Sequence, residues 1–173
     1  MKKNLILIGM MAVGKTTLGK IVAKKQGLAF IDTDKSIEKK KLMKISEIFK
    51  KKGETFFRLE EEKEILSLVQ KKECVLALGG GAFINKKIRD AILKKTISIW
   101  LDGDLKILNK RIKWNKNRPL LNTKNSLAKI SELYAKRKNI YKLANYKINC
   151  KNLSKKEIVN KIISLYESSK INN

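Results

Sequence analysis

The sequence predicts a single α/β domain in which a parallel β-sheet is covered by helices on both faces. Short runs rich in isoleucine, leucine and valine alternate with longer amphipathic stretches along the 173 residues. Buried strands separated by helices are typical of a parallel sheet, because such strands are apolar on both faces. The chain is long enough for one core and short for two, and no linker or repeat divides it.

Each element follows from its own pattern. Apolar runs bounded by Gly, Asp or Lys are the predicted strands: NLILIG (4–9), LAFID (28–32), CVLALG (74–79), TISIWLD (96–102) and NYKINC (145–150). Amphipathic stretches are the predicted helices: 15–26, 35–52 in two pieces, 54–72, 85–94, 104–114, 125–142 and 154–169. The polar stretch KWNKNRPLLNTKN holds the single proline and separates two of these helices. It predicts a lid over residues 113–124.

A phosphate-binding loop connects the first strand to the first helix. GMMAVGKTT (9–17) fits the pattern G-x-x-x-x-G-K-[ST] in the strand–loop–helix context that this pattern requires. Gly9 lets the chain turn off the strand, and Gly14 lets backbone N–H groups approach phosphates at the positive end of the helix dipole. Lys15 would reach the β- and γ-phosphates, and the Thr16 hydroxyl would ligate Mg²⁺. The sequence therefore predicts the three-layer P-loop fold. The loop residues expected to bind ATP are Ala12, Val13, Gly14, Lys15, Thr16 and Thr17.

Two carboxylates stand one residue apart where the second predicted strand ends. They are Asp32 and Asp34 of FIDTD, at the sheet edge where ligands gather in open α/β folds. In extended chain the side chains at i and i+2 point the same way. One could hold the water shell of Mg²⁺ and the other accept a proton from a substrate hydroxyl. Helix capping is the alternative for Asp34, and it is the favoured interpretation for a second pair, Asp102 and Asp104.

Composition excludes several classes of protein. The chain has no histidine, which removes His-based triads and most zinc sites. No apolar run approaches the roughly 20 residues that cross a bilayer, so we expect no membrane association. Cys74 and Cys150 form no C-x-x-C, which favours a reduced, cytoplasmic setting. No N-K-x-D guanine-binding motif is present, which disfavours a GTPase.

The formal charge of +25 raises the alternative of a nucleic-acid-binding ATPase. The excess is spread along the chain without interleaved aromatic residues, which favours a solvated lysine surface instead. Only five of the 41 basic residues are arginine. A retained arginine indicates a need for the two-pronged guanidinium that grips carboxylates and phosphates. Of the five, Arg89 fits chance placement.

Five segments stand in register across nearly the whole chain: GMMAVGKTT, FIDTD, GETFFRLEE, LALGGGAF, and NRPLL followed by RKNIY. Together they resemble the shikimate kinase family. The resemblance implies a five-stranded parallel sheet of order 2-3-1-4-5. It also implies phosphorylation of the 3-hydroxyl of shikimate with ATP and Mg²⁺, in aromatic amino-acid biosynthesis. We expect a monomer that binds ATP and shikimate, without nucleic acid.

The resemblance also implies an acid-binding part within residues 33–61. Asp34 would bind the hydroxyls of shikimate and could act as the base. Arg58 and Arg137 would bind the carboxylate. Glu61 lies three residues after Arg58 on the same helical face and could orient its guanidinium.

A run of three glycines ends the third predicted strand. It removes side chains and leaves backbone N–H groups open to a substrate or phosphate. By the resemblance, Gly80 is the expected substrate contact among Gly79, Gly80 and Gly81. A gluconate kinase is the alternative small-metabolite kinase, but two carboxylate-gripping arginines with three glycines favour shikimate.

The remaining resemblance concerns the nucleotide. Arg118 would move to the phosphates when the lid closes, and Arg111 would lie against adenine. Ala12 stands where family members often have a glycine, and Thr16 where serine is commoner. We expect Ala12 to fit, because alanine tolerates most loop geometries, and Thr16 retains the hydroxyl. The segment CKNLS (150–154) is left unassigned.

Overall fold

A computed structural model describes residues 3–71, 73–114 and 126–171. The strands are β1 (Leu5–Ile8), β2 (Ala29–Asp32), β3 (Cys74–Ala77), β4 (Ile97–Asp102) and β5 (Tyr146–Asn149). The helices are α1 (Lys15–Gln26), α2 (Thr33–Lys41), α3 (Ile45–Gln70), α4 (Lys86–Lys95), α5 (Leu105–Trp114), α6 (Ser126–Tyr141) and α7 (Lys155–Ile171). A single 3₁₀ turn, Ala82–Ile84, precedes α4.

The sheet has five parallel strands in the order β2-β3-β1-β4-β5, which confirms the predicted fold class and strand order. In register, Leu7 of β1 lies between Ala77 of β3 and Ile99 of β4. Because all strands run the same way, their carboxyl ends meet at one edge of the sheet. The phosphate loop, the two aspartates and the glycine run therefore all begin at that edge.

The main core forms around the central strands. Every residue of β1 and β3 is buried, as expected for strands that read as continuous apolar runs. Helix α1 packs against β3 and α7, while α3 packs against α4. The edge strand β2 is only partly buried. The edge strand β5 buries only Ile148.

A second, smaller core lies under the region predicted to bind the acid. It consists of Ile37 from α2 with Ile48 and Phe57 from α3, and the rings of Phe49 and Phe57 stand 4.8 Å apart. Gly53 has φ 84° and ψ 169°, which interrupts α3 where the sequence predicts a break between 52 and 54. Glycine accepts this conformation without the clash that a Cβ would cause.

Two other expectations meet the structure here. Within the described ranges, no helix is long and apolar enough to cross a membrane. Residues 113 and 114 belong to α5. The rest of the predicted lid, with Arg118, lies outside the described residues.

Candidate active site

The phosphate loop folds around its own lysine. The ammonium of Lys15 is buried and donates to the carbonyl oxygens of Gly9 and Met10, each at 2.9 Å. Gly14 caps α1 in the left-handed region, with φ 105°. Gly9 has φ 144°, and a Cβ placed there would lie 2.5 Å from the Leu101 carbonyl oxygen. Both positions therefore require glycine, and Lys15 is held at the positive end of α1.

Ala12 is strained in this loop. Its φ is 63°, in the left-handed region that L-residues other than Asn and Asp seldom adopt. Alanine is therefore accommodated in the loop, but in a conformation that glycine adopts at lower cost. Arg111, on α5, donates to the Ala12 carbonyl oxygen at 3.1 Å and so lies against the loop.

The two residues predicted to hold a metal lie side by side. The Thr16 hydroxyl donates to Oδ2 of Asp32 at 2.6 Å. The Asp32 carboxylate also accepts from the backbone N–H of Lys35 at 3.3 Å, so Asp32, and not Asp34, caps α2. A hydroxyl and a carboxylate are the hard oxygen donors that suit Mg²⁺, which takes its other ligands from water and phosphates. This donor pair fits the ion.

Asp34 lies against the glycine run. It stands in the first turn of α2, and a Cβ placed on Gly79 would lie 2.6 Å from its Oδ1 and 3.0 Å from Oε1 of Glu61. The Gly79 N–H donates to the hydroxyl of Thr33 at 3.1 Å, which ties the turn to the start of α2. Because Gly79 has no side chain, the carboxylates of Asp34 and Glu61 can approach the turn. Any larger residue at this position would displace them.

Arg58 reaches the same turn from α3. Its guanidinium donates to Glu61 at 2.8 Å and to Glu54 at 3.1 and 3.2 Å, and a Cβ on Gly81 would lie 2.9 Å from its Nη1. Burial lowers the pKa of Arg58, but its hydrogen bonds to Glu61 and Glu54 outweigh this and leave the pKa raised. Burial raises the pKa of Glu61, against the opposing effect of Arg58. The predicted orienting role of Glu61 agrees with this contact.

Arg137 reaches the turn from a third helix, α6. Its Nη1, on α6, donates to the Gly80 carbonyl oxygen at 3.2 Å, and the buried Tyr141 hydroxyl donates to the same oxygen. A Cβ on Gly80 would lie 3.6 Å from the Met11 nitrogen. The glycine turn is therefore packed directly against the phosphate loop.

Three further residues were predicted to bind ATP: Val13, Thr17 and Arg118. Val13 is buried at the loop, and Thr17 is exposed in the first turn of α1. Arg118 lies outside the described residues, so its predicted contact with the phosphates stays a prediction. The capping interpretation holds for Asp104, whose Oδ1 accepts from two backbone N–H groups of α5, at 2.8 and 3.2 Å.

Four contributors escaped the sequence analysis. Glu54 pairs with Arg58, Thr33 ties α2 to the glycine turn, and Tyr141 binds Gly80. Arg89, which fits chance placement in the sequence, donates to the carbonyl oxygens of Phe83 and Ile84 and so braces the 3₁₀ turn. A usable signal existed for Tyr141, which lies four residues after Arg137 on one helical face.

A P-loop beside a turn flanked by two arginines and two carboxylates defines a kinase that acts on a small anionic acceptor. The shikimate kinase family model matches residues 11–167. A shikimate kinase of Bartonella quintana is 44% identical over 94% of this chain and 77% of that protein. One of a Sulfurihydrogenibium species is 41% identical over 94% and 96%. The chain belongs to the shikimate kinase family.

Solved structures agree. A shikimate kinase from Acinetobacter baumannii, in complex with shikimate, gives a TM-score of 0.91 at 34% identity and covers 97% of this chain and 94% of that one. A gluconokinase from Sinorhizobium meliloti gives 0.66 at 14% identity, over 99% of this chain and 95% of that one. The second likeness reaches the fold alone.

Proposed function

We propose that the chain transfers the γ-phosphoryl group of ATP to the 3-hydroxyl of shikimate, giving shikimate 3-phosphate and ADP in aromatic amino-acid biosynthesis. One observation carries the proposal. The glycine turn receives Asp34, Arg58 and Arg137 from three different helices, and it packs against the loop that holds Lys15. An acid bound at this turn would face a triphosphate bound at the loop.

The acid-binding side would use charge and shape together. Arg58, beside Gly81, and Arg137, beside Gly80, would grip the carboxylate of shikimate, which matches the planar fork of a guanidinium. Asp34 would accept hydrogen bonds from the ring hydroxyls. The helical segment 33–61, with its own small core, is proposed as the acid-binding part of the single domain.

The nucleotide side would use the loop backbone and its cations. Backbone N–H groups from Ala12 to Thr17 would cradle the phosphates, and Lys15 would stabilise charge on the transferring group. Thr16 and Asp32 would hold Mg²⁺, which when bound neutralises charge on the β- and γ-phosphates. Arg111 would lie against adenine, and Arg118 would reach the phosphates from the lid and help exclude water.

Phosphoryl transfer would then proceed in line. The 3-hydroxyl oxygen of shikimate forms a bond to the γ-phosphorus while the bond from that phosphorus to the β–γ bridging oxygen breaks, and ADP leaves. The hydroxyl proton passes to the carboxylate of Asp34, which lies against Gly79. Lys15 and the Mg²⁺-binding pair stand on the phosphate side, so the acceptor and the donor are gripped by separate sets of residues.

The proposal is tested by ADP formation with purified chain, ATP and Mg²⁺, in parallel reactions with shikimate, with gluconate and with no acid. We expect ADP only with shikimate, together with shikimate 3-phosphate in equal amount. Turnover of gluconate without shikimate turnover would overturn the choice of acid. ATP hydrolysis stimulated by DNA or RNA near physiological salt would instead favour the nucleic-acid-binding ATPase. Monomeric state and a cytoplasmic location stay predictions.

A further inference from the structure

Helix α6 carries two tyrosines on the face that presents Arg137. Tyr134, Arg137 and Tyr141 are spaced by three and four residues, so their side chains lie on one side of the helix. Each tyrosine hydroxyl donates to a different part of the sheet edge. Tyr134 donates to Oδ1 of Asp102 at 3.0 Å, and Tyr141 donates to the Gly80 carbonyl oxygen. Arg137 is thus flanked by two anchors.

The two anchors lie on either side of the phosphate loop. Asp102 ends β4, and Gly80 follows β3, and these strands are the two neighbours of β1. Helix α6 therefore crosses the carboxyl ends of the central strands with one hydroxyl bond on each side. Asp102 is itself held by Lys147, whose ammonium lies 2.8 Å from Oδ2 and 4.4 Å from the centre of the Trp100 ring.

The Tyr141 anchor is buried between Trp100 and the phosphate loop. The side chain is 0% exposed, its ring lies 5.9 Å from that of Trp100, and its oxygen lies 3.9 Å from the sulfur of Met10 in the phosphate loop. Burial raises the pKa of Tyr141, against the opposing effect of Arg137, so the hydroxyl keeps its proton for donation. A buried phenol of this kind normally requires a hydrogen-bond partner, and here that partner is Gly80.

The Gly80 carbonyl oxygen accepts from both Tyr141 and Arg137, which fills its two lone pairs. The described backbone has no cis peptide bond, so the C=O of Gly80 and the following N–H of Gly81 point in opposite directions. Fixing the carbonyl toward α6 therefore fixes that N–H away from α6. Through this shared carbonyl oxygen, the Tyr141 hydroxyl would set the position of the Arg137 guanidinium.

We propose that Tyr134 and Tyr141 are positioning residues that hold Arg137 for the carboxylate of the acid substrate. Tyr141 makes the larger contribution to holding Arg137. The proposal rests on the proposed function, because it takes Arg137 to bind that carboxylate. It adds two residues and one helix face, which act through Arg137 and touch neither ATP nor the reacting atoms.

The test is a double-mutant cycle in steady-state kinetics. Tyr141→Phe keeps the ring and removes the hydroxyl, so we expect the shikimate KM to rise about 3- to 10-fold, the effect of one buried hydrogen bond, with kcat and the ATP KM changed less than about twofold. Tyr134→Phe should raise the shikimate KM only about twofold. Tyr134 is less buried than Tyr141, and it donates to Asp102 and not to the Gly80 carbonyl oxygen that Arg137 also binds. In an Arg137→Ala background, Tyr141→Phe should add almost nothing, since the group it positions is gone.

Tyr166→Phe is the matched control. Tyr166 is also 0% exposed, but it belongs to α7, and its hydroxyl donates at 2.7 Å to the carbonyl oxygen of Lys3, just before β1 begins. It should lower Tm and leave the shikimate KM unchanged. If Tyr141→Phe behaves like Tyr166→Phe, or if its effect multiplies in full with that of Arg137→Ala, the positioning role is wrong.

The outcomes also separate the two proposals. If Arg137→Ala raises the shikimate KM while Tyr141→Phe does not, the positioning role alone fails and the proposed function stands. If Arg137→Ala leaves the shikimate KM unchanged, the proposed carboxylate contact fails and the positioning role fails with it.

Discussion

The phosphate loop and the glycine turn, residues 79–81, lie against each other, yet they are built in opposite ways. The loop is one run, residues 9–17, whose shape depends on backbone conformation and on glycines at positive φ. The glycine turn, proposed to bind the acid, is surrounded by side chains that come from α2, α3 and α6. We therefore propose that binding of the triphosphate depends on one local segment, whereas recognition of the acid depends on the whole fold.

The two regions also differ in charge. The first turn of α1 carries no acidic side chain, so the loop presents only a cation and the positive helix end to phosphates. At the turn, Arg58 is held between Glu61 and Glu54, and Asp34 lies beside Gly79. Glu61 and Glu54 hold Arg58 in place, and Asp34 is the proposed acceptor for the substrate hydroxyls. We propose that the loop binds the triphosphate and that the glycine turn selects the acceptor.

The largest expected effect comes from the loop. Lys15→Ala removes the cation that stabilises the transferring group, so kcat should fall by at least about 100-fold. The shikimate KM should change little, because the glycine turn is intact. Lys20→Ala, an exposed lysine on the same helix, removes the same charge and should leave ADP formation unchanged. Comparable activity in both variants would contradict the role given to the loop.

The next largest effect is expected from a variant that changes a side chain beside the glycine turn and leaves the phosphate loop intact. Arg58→Ala should raise the shikimate KM about 10- to 100-fold, since a hydrogen bond to a charged group contributes about 1.5–3 kcal/mol, while the ATP KM stays near that of the unmodified chain. Arg58→Lys keeps the positive charge but loses the forked guanidinium, so its shikimate KM should lie between those of the unmodified chain and of Arg58→Ala. Lys52→Ala, exposed on the same helix, is the charge-matched control. An unaltered shikimate KM in Arg58→Ala would remove Arg58 from the site.

A third comparison tests whether the turn needs glycine at one position more than at the next. In Gly79→Ala the new methyl would lie 2.6 Å from Oδ1 of Asp34, so that carboxylate has to move, and kcat/KM for shikimate should fall about 10-fold or more. In Gly80→Ala the closest atom is Nη1 of Arg137, at 3.4 Å, a distance that a small shift accommodates. Equal losses in the two variants would argue against the packing of Asp34 on Gly79.

The smallest effect concerns strain in the loop. Ala12→Gly relieves a left-handed conformation that costs about 1–2 kcal/mol, partly offset by the greater freedom of glycine in the unfolded chain. Tm should therefore rise by up to about 3 °C. Ala135→Gly, in the exposed middle of α6, should lower Tm because it loses helix propensity. A fall in Tm of the same size in both variants would show that Ala12 is unstrained.

The sequence predicted the architecture because each strand and helix has a strong local pattern. The five strands and the break in α3 at Gly53 agree with the structure, and so does the strand order, which only the family resemblance implied. The phosphate loop was equally accessible, since motif and context are contiguous. Within it, the strain at Ala12 was missed, because φ depends on the folded loop and not on residue type alone.

The side chains around the glycine turn were predicted only in part. The arginines stood out against a lysine-rich background, and the resemblance gave them roles. Glu54, Thr33 and the two tyrosines of α6 were not identified, because their contacts join segments far apart in the chain, such as Tyr141 and Gly80. Asp102 illustrates the same limit. Its sequence suggested a helix cap, and the structure gives that task to Asp104 and makes Asp102 an anchor for α6.

The most direct test is a crystal structure of the chain with shikimate and a non-hydrolysable ATP analogue bound together. We expect the shikimate carboxylate between Arg58 and Arg137, a ring hydroxyl beside Asp34, and the 3-hydroxyl facing the γ-phosphorus above Lys15. Shikimate bound away from the glycine turn, or with its 3-hydroxyl turned from the terminal phosphate, would contradict the account.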